Sequence, residues 1–445
     1  MLYLYVLIIE LFILLVITYY STGKDLLSPP MIMIFGFILS SLFAVINGIE
    51  WGIVFSAKSF SLISVGVLSF IFPYIIAFQI NNKQPMIRTE DHCIIIDKWK
   101  VIVIDIIDVL ILILYWKSIV NMVGTHGGTG ISIQWTYRLI TSYEGSDRLG
   151  AGIRLVVKLL DASAYIFMFI LVNNQFIYKT KKKDEILLIV PPVLFCIKSL
   201  MGGGRQDLLK MAAFAFITLY IQNHNKIGWD KNLSFKYIRN GLILVTLVLI
   251  GFYYALRFTG RKTSRNLFVS LSTYIGGSIQ HFNQYIKDPV NKSHFFGNES
   301  FTPILNTLND LGVIVYKNTV HLEYRKLGVT SGNVYTFFRR PLQDFGIIGM
   351  VIFTTVVSAF FAVMYIKMVR NKPNDLKHNL YTIIYVYLLY WIVLSSIEQY
   401  SMTVISIQTL LTIIIMVLLW EFLFCIKITK KKIVIKKWSK ISKIE

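Results

Sequence analysis

Runs of about twenty apolar residues recur from one end of this chain to the other, and no other feature constrains its fold as strongly. The first, LYLYVLIIELFILLVITYY from Leu2, is long enough as a helix to cross a hydrocarbon layer of about 30 Å. In such a solvent each backbone N–H and C=O must bond inside the protein, which favours helices wherever the run is continuously apolar. Hydropathy places about eleven spanning segments, near 2–20, 30–48, 59–79, 101–121, 155–173, 185–201, 206–222, 240–258, 346–367, 379–397 and 402–424. Composition agrees, because only 16% of residues are charged where a soluble domain carries about 25%. The expected fold is an all-α polytopic membrane protein, read as a single integral membrane domain over 1–445. A first outer loop is expected at 122–154, a large outer loop at 259–345 and a basic cytoplasmic tail at 425–445. The first run lacks a positive leader and a small-residue cleavage site, so it reads as a retained helix. Pro191-Pro192 in the short sixth segment predict a kink or a broken helix. Cys93, Cys196 and Cys425 are odd in number and fit no metal spacing, so no disulfide framework is expected.

Lysine sets the orientation. Clusters at Lys179–Lys183, at Lys226, Lys231 and Lys236, at Lys367, Lys372 and Lys377, and from Lys427 to Lys443 all fall on one side of the eleven segments. The positive-inside rule makes that side cytoplasmic and puts both long loops on the outer face. About 22 of the 32 lysines then lie inside. Ten of the thirteen arginines lie outside or at the outer boundary: Arg138, Arg148, Arg154, Arg205, Arg257, Arg261, Arg265, Arg325, Arg339 and Arg340. The topology rests on lysine alone, so this asymmetry is independent of it. Guanidinium is a planar fork that grips phosphate oxygens bidentately, whereas ammonium is a point charge. An outer face rich in arginine therefore points to a phosphate-bearing ligand; scattered solvated loop charges are the plainer alternative. The tail CIKITKKKIVIKKWSKISKIE reads as attraction to anionic membrane lipid, about 1 kcal/mol per cation near the surface, and gives no support to a nucleic-acid partner.

Three stretches carry candidate chemistry. In SLMGGGRQDLL (199–209), Gly202, Gly203 and Gly204 permit a tight turn before a helix that starts at Arg205-Gln206-Asp207. A helix start is an anion site, and Arg205 beside it makes a cradle for phosphate or pyrophosphate; a glycine hairpin with a snorkelling arginine is the structural alternative. In SGNVYTFFRRPLQDFGIIG (331–349), Arg339 and Arg340 precede Pro341, Asp344 is placed to orient one of them, and Gly346 and Gly349 allow close packing on re-entry into lipid. In YIGGSIQHFNQYI (274–286), aromatics suited to sugar rings surround His281, a candidate base near neutral pH. Tyr274, Phe282 and Tyr335 are the candidate glycan platforms, and Glu398, in the outer turn SSIEQYS, is a further candidate base. Within the spans, Asp105 and Asp108 are placed for proton coupling or for interior hydrogen bonds, and Lys158 and Asp161 for pairing. GTHGGTG (124–130) follows no strand of a βαβ unit, so it is not read as a nucleotide site.

In order, GGGRQDLL, YIGGSIQHFNQYI with FGNESFTPILNTL after it, and NVYTFFRRPLQDFGIIG resemble the oligosaccharide repeat-unit polymerases, the Wzy-type enzymes of bacterial O-antigen and capsule pathways. The resemblance covers most of the chain and implies the architecture of the lipid-dependent helical glycosyltransferases (GT-C-like). It implies an enzyme in the bacterial cytoplasmic membrane, with its active site on the outer face, that joins repeat units carried on undecaprenyl pyrophosphate. Transfer would be metal-independent and without cofactor, for capsule, O-antigen or exopolysaccharide. The pathway's flippase and chain-length regulator are the implied protein partners. The pyrophosphate role then falls on Arg205 and on Arg339 or Arg340, with Arg257 as a further candidate. Fixed guanidiniums would stabilise the charge that builds on the leaving group, and His281, Glu398 and Asp344 are the options for a base. A ligase of the same architecture and a flippase of lipid-linked oligosaccharide are the alternatives.

Overall fold

The computed structural model describes residues 1–81, 93–126, 133–180, 182–229, separate positions between 239 and 255, 267–291, 295–316, 318, 321–429 and 432–435. It is a helical protein: α1 (Leu2–Ser21), α2 (Pro29–Ile46), α3 (Ala57–Asn81), α4 (Lys98–Thr125), α5 (Ile133–Arg138), α6 (Ala151–Leu171), α7 (Val190–Met201) and α8 (Gln206–Ile227) come first. Among the described residues there follow α9 (Leu267–Ile275), α10 (Gly277–Lys287), α11 (Thr302–Asp310), α12 (Arg339–Met364), α13 (Leu376–Val393), α14 (Ser401–Val404) and α15 (Ile407–Phe424). The described strands form two antiparallel hairpins, β1 (Arg325–Leu327) with β2 (Thr330–Gly332) and β3 (Ile426–Thr429) with β4 (Lys432–Ile435).

Six of the described helices are long and apolar enough to cross a membrane: α1, α2, α3, Ala151–Ile177, Arg339–Val369 and α15. Of the expected eleven, these six meet both length and hydropathy among the described residues. Helices do form at α4, α8 and α13, but α7 is only 12 residues long, and the segment near 240–258 lies mostly outside the described residues. The break predicted in the sixth segment is there. A 3-10 helix over Lys182–Ile189 gives way to α7, with the two prolines in its first turn, where a missing N–H costs least.

The chain divides into two compact units. The first comprises Met1–Pro85, Ser264–Lys367 and Leu388–Ile407. In it α1 packs along α2 and α3 along α12. Leu4, Leu7, Leu11 and Thr18 form the buried stripe of α1 at helical spacing. Its Ile9, Phe12, Ile13, Val16 and Ile17 are exposed, a surface that lipid and not water would cover. Where α3 meets α12, Gly66 admits the Phe338 ring; a Cβ at Gly66 would lie 2.5 Å from it. Thr355 and Ser358 hydroxyls of α12 donate to the Ser69 and Phe70 carbonyls of α3. This seam fixes the start of α12, where Arg339 and Arg340 stand. The helix runs on through Gly346, yet that residue has φ 69° and ψ −170°, so α12 bends there on a conformation other residues avoid.

The second unit comprises Met86–Thr263, Met368–Tyr387 and Gln408–Glu445. Its frame is α4, α6, α7 and α8. Buried Lys100 donates from Nζ to the carbonyls of Leu423 and Ile426, each at 2.7 Å, and so caps the end of α15. Asp108 accepts from the Ser163 hydroxyl. At one end of the unit Ile119, Met122, Val123, Ile140 and Leu149 form a small core, with Tyr115, Tyr137, Ile153 and Met201 packed against it.

Candidate functional site

The first unit brings Arg339, Arg340, Asp344 and Glu398 of the sequence-predicted residues into one polar cluster. Arg339 and Arg340 open α12 and are almost wholly buried, which requires partners for both charges. Arg339 Nη1 lies 2.8 Å from Glu299 Oε2 and its Nη2 lies 3.2 Å from Glu323 Oε2. Its guanidinium stacks 3.7 Å above the Tyr285 ring. Arg340 Nε donates to Glu398 Oε1 at 3.1 Å, and Nη1 to the Glu299 carbonyl at 3.1 Å. Asp344 closes the ring, accepting the Glu299 and Ser300 amides. The loop FGNES is thereby tied to α12 at three points, all of them through Glu299 or its neighbour.

The candidate bases differ in what already holds them. His281 is fully buried; its ring hydrogen-bonds through Nδ1 to the Val334 carbonyl at 2.8 Å and packs 5.5 Å from Tyr335. Burial lowers its pKa to about 4, against the upward pull of the Val334 and Arg325 carbonyls, so the imidazole is neutral at pH 7. Glu398 is pushed up by burial while Arg340 pulls it down; one of its oxygens already takes both Arg340 and the Gln399 amide. Asp344 spends both oxygens on backbone amides. The residue that sequence reading passed over is Glu299. Its Oε2 is held by Arg339, while its Oε1 takes no hydrogen bond among the described residues. Burial raises its pKa to about 7, offset by Arg339 and Arg340 and reinforced by Asp344 and Glu323. A carboxyl with one oxygen anchored, one available and a pKa near neutrality has the attributes of a general base.

The proposed glycan platforms divide. Phe282 and Tyr335 are interior side chains, the latter donating from its hydroxyl to the Glu323 carbonyl. Tyr274 is partly exposed. More accessible aromatic surface lies close by in sequence to the cluster's acids: Phe296, 78% exposed and packed 4.7 Å from Phe345, and Tyr324, 55% exposed.

The glycine turn belongs to the second unit, as does Arg205. Gly202, Gly203 and Gly204 donate their amides to Lys198, Leu200 and Ser199 carbonyls, closing the end of α7. These amides are therefore committed to the preceding helix. Gly203 has φ +67°, and a Cβ on it would meet the Gln134 carbonyl at 2.5 Å; one on Gly202 would meet the Tyr115 hydroxyl at 2.7 Å. Arg205 is buried, stacks 4.1 Å over the Phe252 ring and donates to the Phe252 carbonyl at 2.9 Å. Asp207 pairs with Lys210 at 3.3 Å and with Lys198 at 3.8 Å. Lys198 also pairs with Asp161, which takes Lys158 at 3.1 Å as the sequence suggested. Lys198 was not legible as a partner, because it sits among apolar residues on a different helix. Arg257 lies outside the described residues.

Compared with protein-family models, with curated proteins and with solved structures, the chain finds no match. Its functional reading therefore rests on its own residues.

Proposed function

We propose that the protein is a membrane glycosyltransferase that polymerises oligosaccharide repeat units carried on undecaprenyl pyrophosphate. The observation that carries this reading is the convergence in the first unit of the 274–286, 297–302 and 331–349 stretches on one cluster, with a carboxylate oxygen of Glu299 available at its centre. In this reading the protein lies in the bacterial cytoplasmic membrane with about eleven spans, in the manner of the lipid-dependent helical glycosyltransferases, and works at the outer face. Repeat units for capsule, O-antigen or exopolysaccharide arrive there from a flippase, and a chain-length regulator sets how far the polymer grows.

The chemistry is a displacement at an anomeric carbon. The acceptor hydroxyl oxygen bonds to that carbon while the sugar–diphosphate C–O bond breaks, its electron pair leaving with the diphosphate. The hydroxyl proton passes to Glu299 Oε1. Arg339 and Arg340 are tied to carboxylates, so their part is to hold Glu299 and set its proton affinity. The resemblance gives the diphosphate to Arg205, a buried guanidinium of the second unit, and a fixed cation in a partly dry site stabilises such charge. Loss of one such donor costs about 10²–10³ in rate. Arg205→Ala cells should accumulate single repeat units where the parent makes a glycan ladder, at unchanged protein level. Full-length glycan left on its carrier would instead identify a ligase, and an unchanged ladder would remove the role of Arg205.

A further inference from the structure

The end of the second unit holds a group of polar atoms that the cluster of the first unit does not use. Ser199 Oγ, Arg138 Nε, Arg154 Nε and Gln206 Nε2 are buried atoms without a hydrogen-bond partner among the described residues. Ser199 itself is 4% exposed. Buried polar groups are almost always satisfied, so several together need a reason. Three of the four are donors only, and the fourth is a hydroxyl that can donate.

Ser199, Arg138 and Gln206 stand at the glycine turn. The point that a Cβ on Gly204 would occupy lies 3.5 Å from Ser199 Oγ and 3.6 Å from Arg138 Nη1, while the one on Gly203 would lie 3.2 Å from Arg138 Cβ. Gln206 begins α8 directly after the turn. Arg154 follows Ile153, which packs with Tyr137 and Met201 on the same small core, and the Arg154 charge acts on Tyr137. The neighbouring acids do not call for these arginines. Asp161 is met by Lys158 and Lys198, and Asp207 by Lys198 and Lys210. What remains is a set of unmatched donors carrying two guanidinium charges, beside a glycine turn whose Gly204 lies between Ser199 and Arg138.

We propose that Arg138, Arg154, Ser199 and Gln206 form a binding site for a phosphate-type oxyanion, and that its ligand is the diphosphate of a lipid-linked substrate. The choice of diphosphate rests on the polymerase reading; the anion site rests on the donors. Two guanidinium forks and a hydroxyl suit the tetrahedral oxygens of phosphate, and a diphosphate offers enough acceptors for all four groups.

The test uses the full-length protein in detergent, with farnesyl diphosphate, farnesol and inorganic pyrophosphate as probes of binding. Farnesyl diphosphate should bind well above farnesol, and Arg138→Ala and Arg154→Ala should each weaken it about tenfold or more, the loss expected for one charged donor. Arg138→Lys and Arg154→Lys keep the charge and remove the fork, so they should fall between, and they serve if the alanine variants do not fold. Pyrophosphate binding with the same arginine dependence shows that the anion alone suffices; binding of farnesyl diphosphate only, again arginine-dependent, assigns the lipid-borne source. Farnesyl diphosphate binding no better than farnesol, or affinity unchanged in a folded Arg138→Ala/Arg154→Ala protein, overturns the site. Failure of the polymerase reading looks different: arginine-dependent binding persists, and the site stands, while cellular glycan does not depend on the protein.

Discussion

Glu299 differs from the other acids of its cluster in what its two oxygens do, and that difference can be measured. Oε2 is committed to Arg339, and Oε1 is the oxygen that can take a proton from a substrate. The groups facing it are Arg339, Arg340, Asp344 and Glu323, and burial outweighs the two cations to place its pKa at about 7. A base must be ionised, so transfer should rise as pH increases through about 7 and level off above it. Glu299→Gln should lower the rate about 10²-fold or more and remove that inflection; a variant that keeps the wild-type profile would take the role from Glu299. Glu398 predicts a different outcome. It is a buried partner of Arg340, and removing a carboxylate that bonds a buried guanidinium weakens the compensation of that charge. Glu398→Ala should destabilise the protein by about 3–5 kcal/mol, read as a fall in unfolding temperature in detergent. An unchanged temperature would mean that Arg340 is neutralised by other groups.

At the scale of the element, the glycines of the 202–204 turn are not equivalent. Gly203 has a positive φ and would drive a Cβ into the Gln134 carbonyl, whereas a Cβ on Gly204 makes only ordinary contacts, the nearest at 3.4 Å. Gly203→Ala should therefore be destabilising and Gly204→Ala close to neutral for stability, with thermal unfolding of the two variants as the check; equal shifts would contradict the turn as described. Gly346 makes a similar prediction for α12. Nothing crowds its Cβ position, so Gly346→Ala should cost only the backbone strain, about 1–3 kcal/mol. The sequence showed that the 202–204 glycines mark a turn before a helix, because backbone freedom is a property of the residue itself; at Gly346 it suggested close packing and not the bend. It did not show that the turn's amides would all face back into α7, which depends on how that helix ends.

Across the whole molecule, what could be read in advance follows the range of the interaction. An apolar run meets lipid whatever its neighbours are, so the helices of α1, α2, α3, α6, α12 and α15 were legible window by window. The pairing of Arg339 with Glu299, 40 residues earlier in the chain, was not, because nothing local to either residue encodes it. Nor did sequence order separate the early arginine motif from the late one, although Arg205 and Arg339 fall in different compact units. The proposed orientation also has a direct check. Reporters that are active only outside the cytoplasm should be active when fused after Phe296 and silent when fused after Asn374; the reverse pattern would place the Glu299 cluster on the wrong face. The central claim is tested by reconstitution. The purified protein in lipid vesicles, given a repeat unit linked to undecaprenyl pyrophosphate, should produce chains of two and more units and release the carrier diphosphate in proportion. Repeat units that remain single, with the protein folded and the lipid-linked substrate intact, would contradict it.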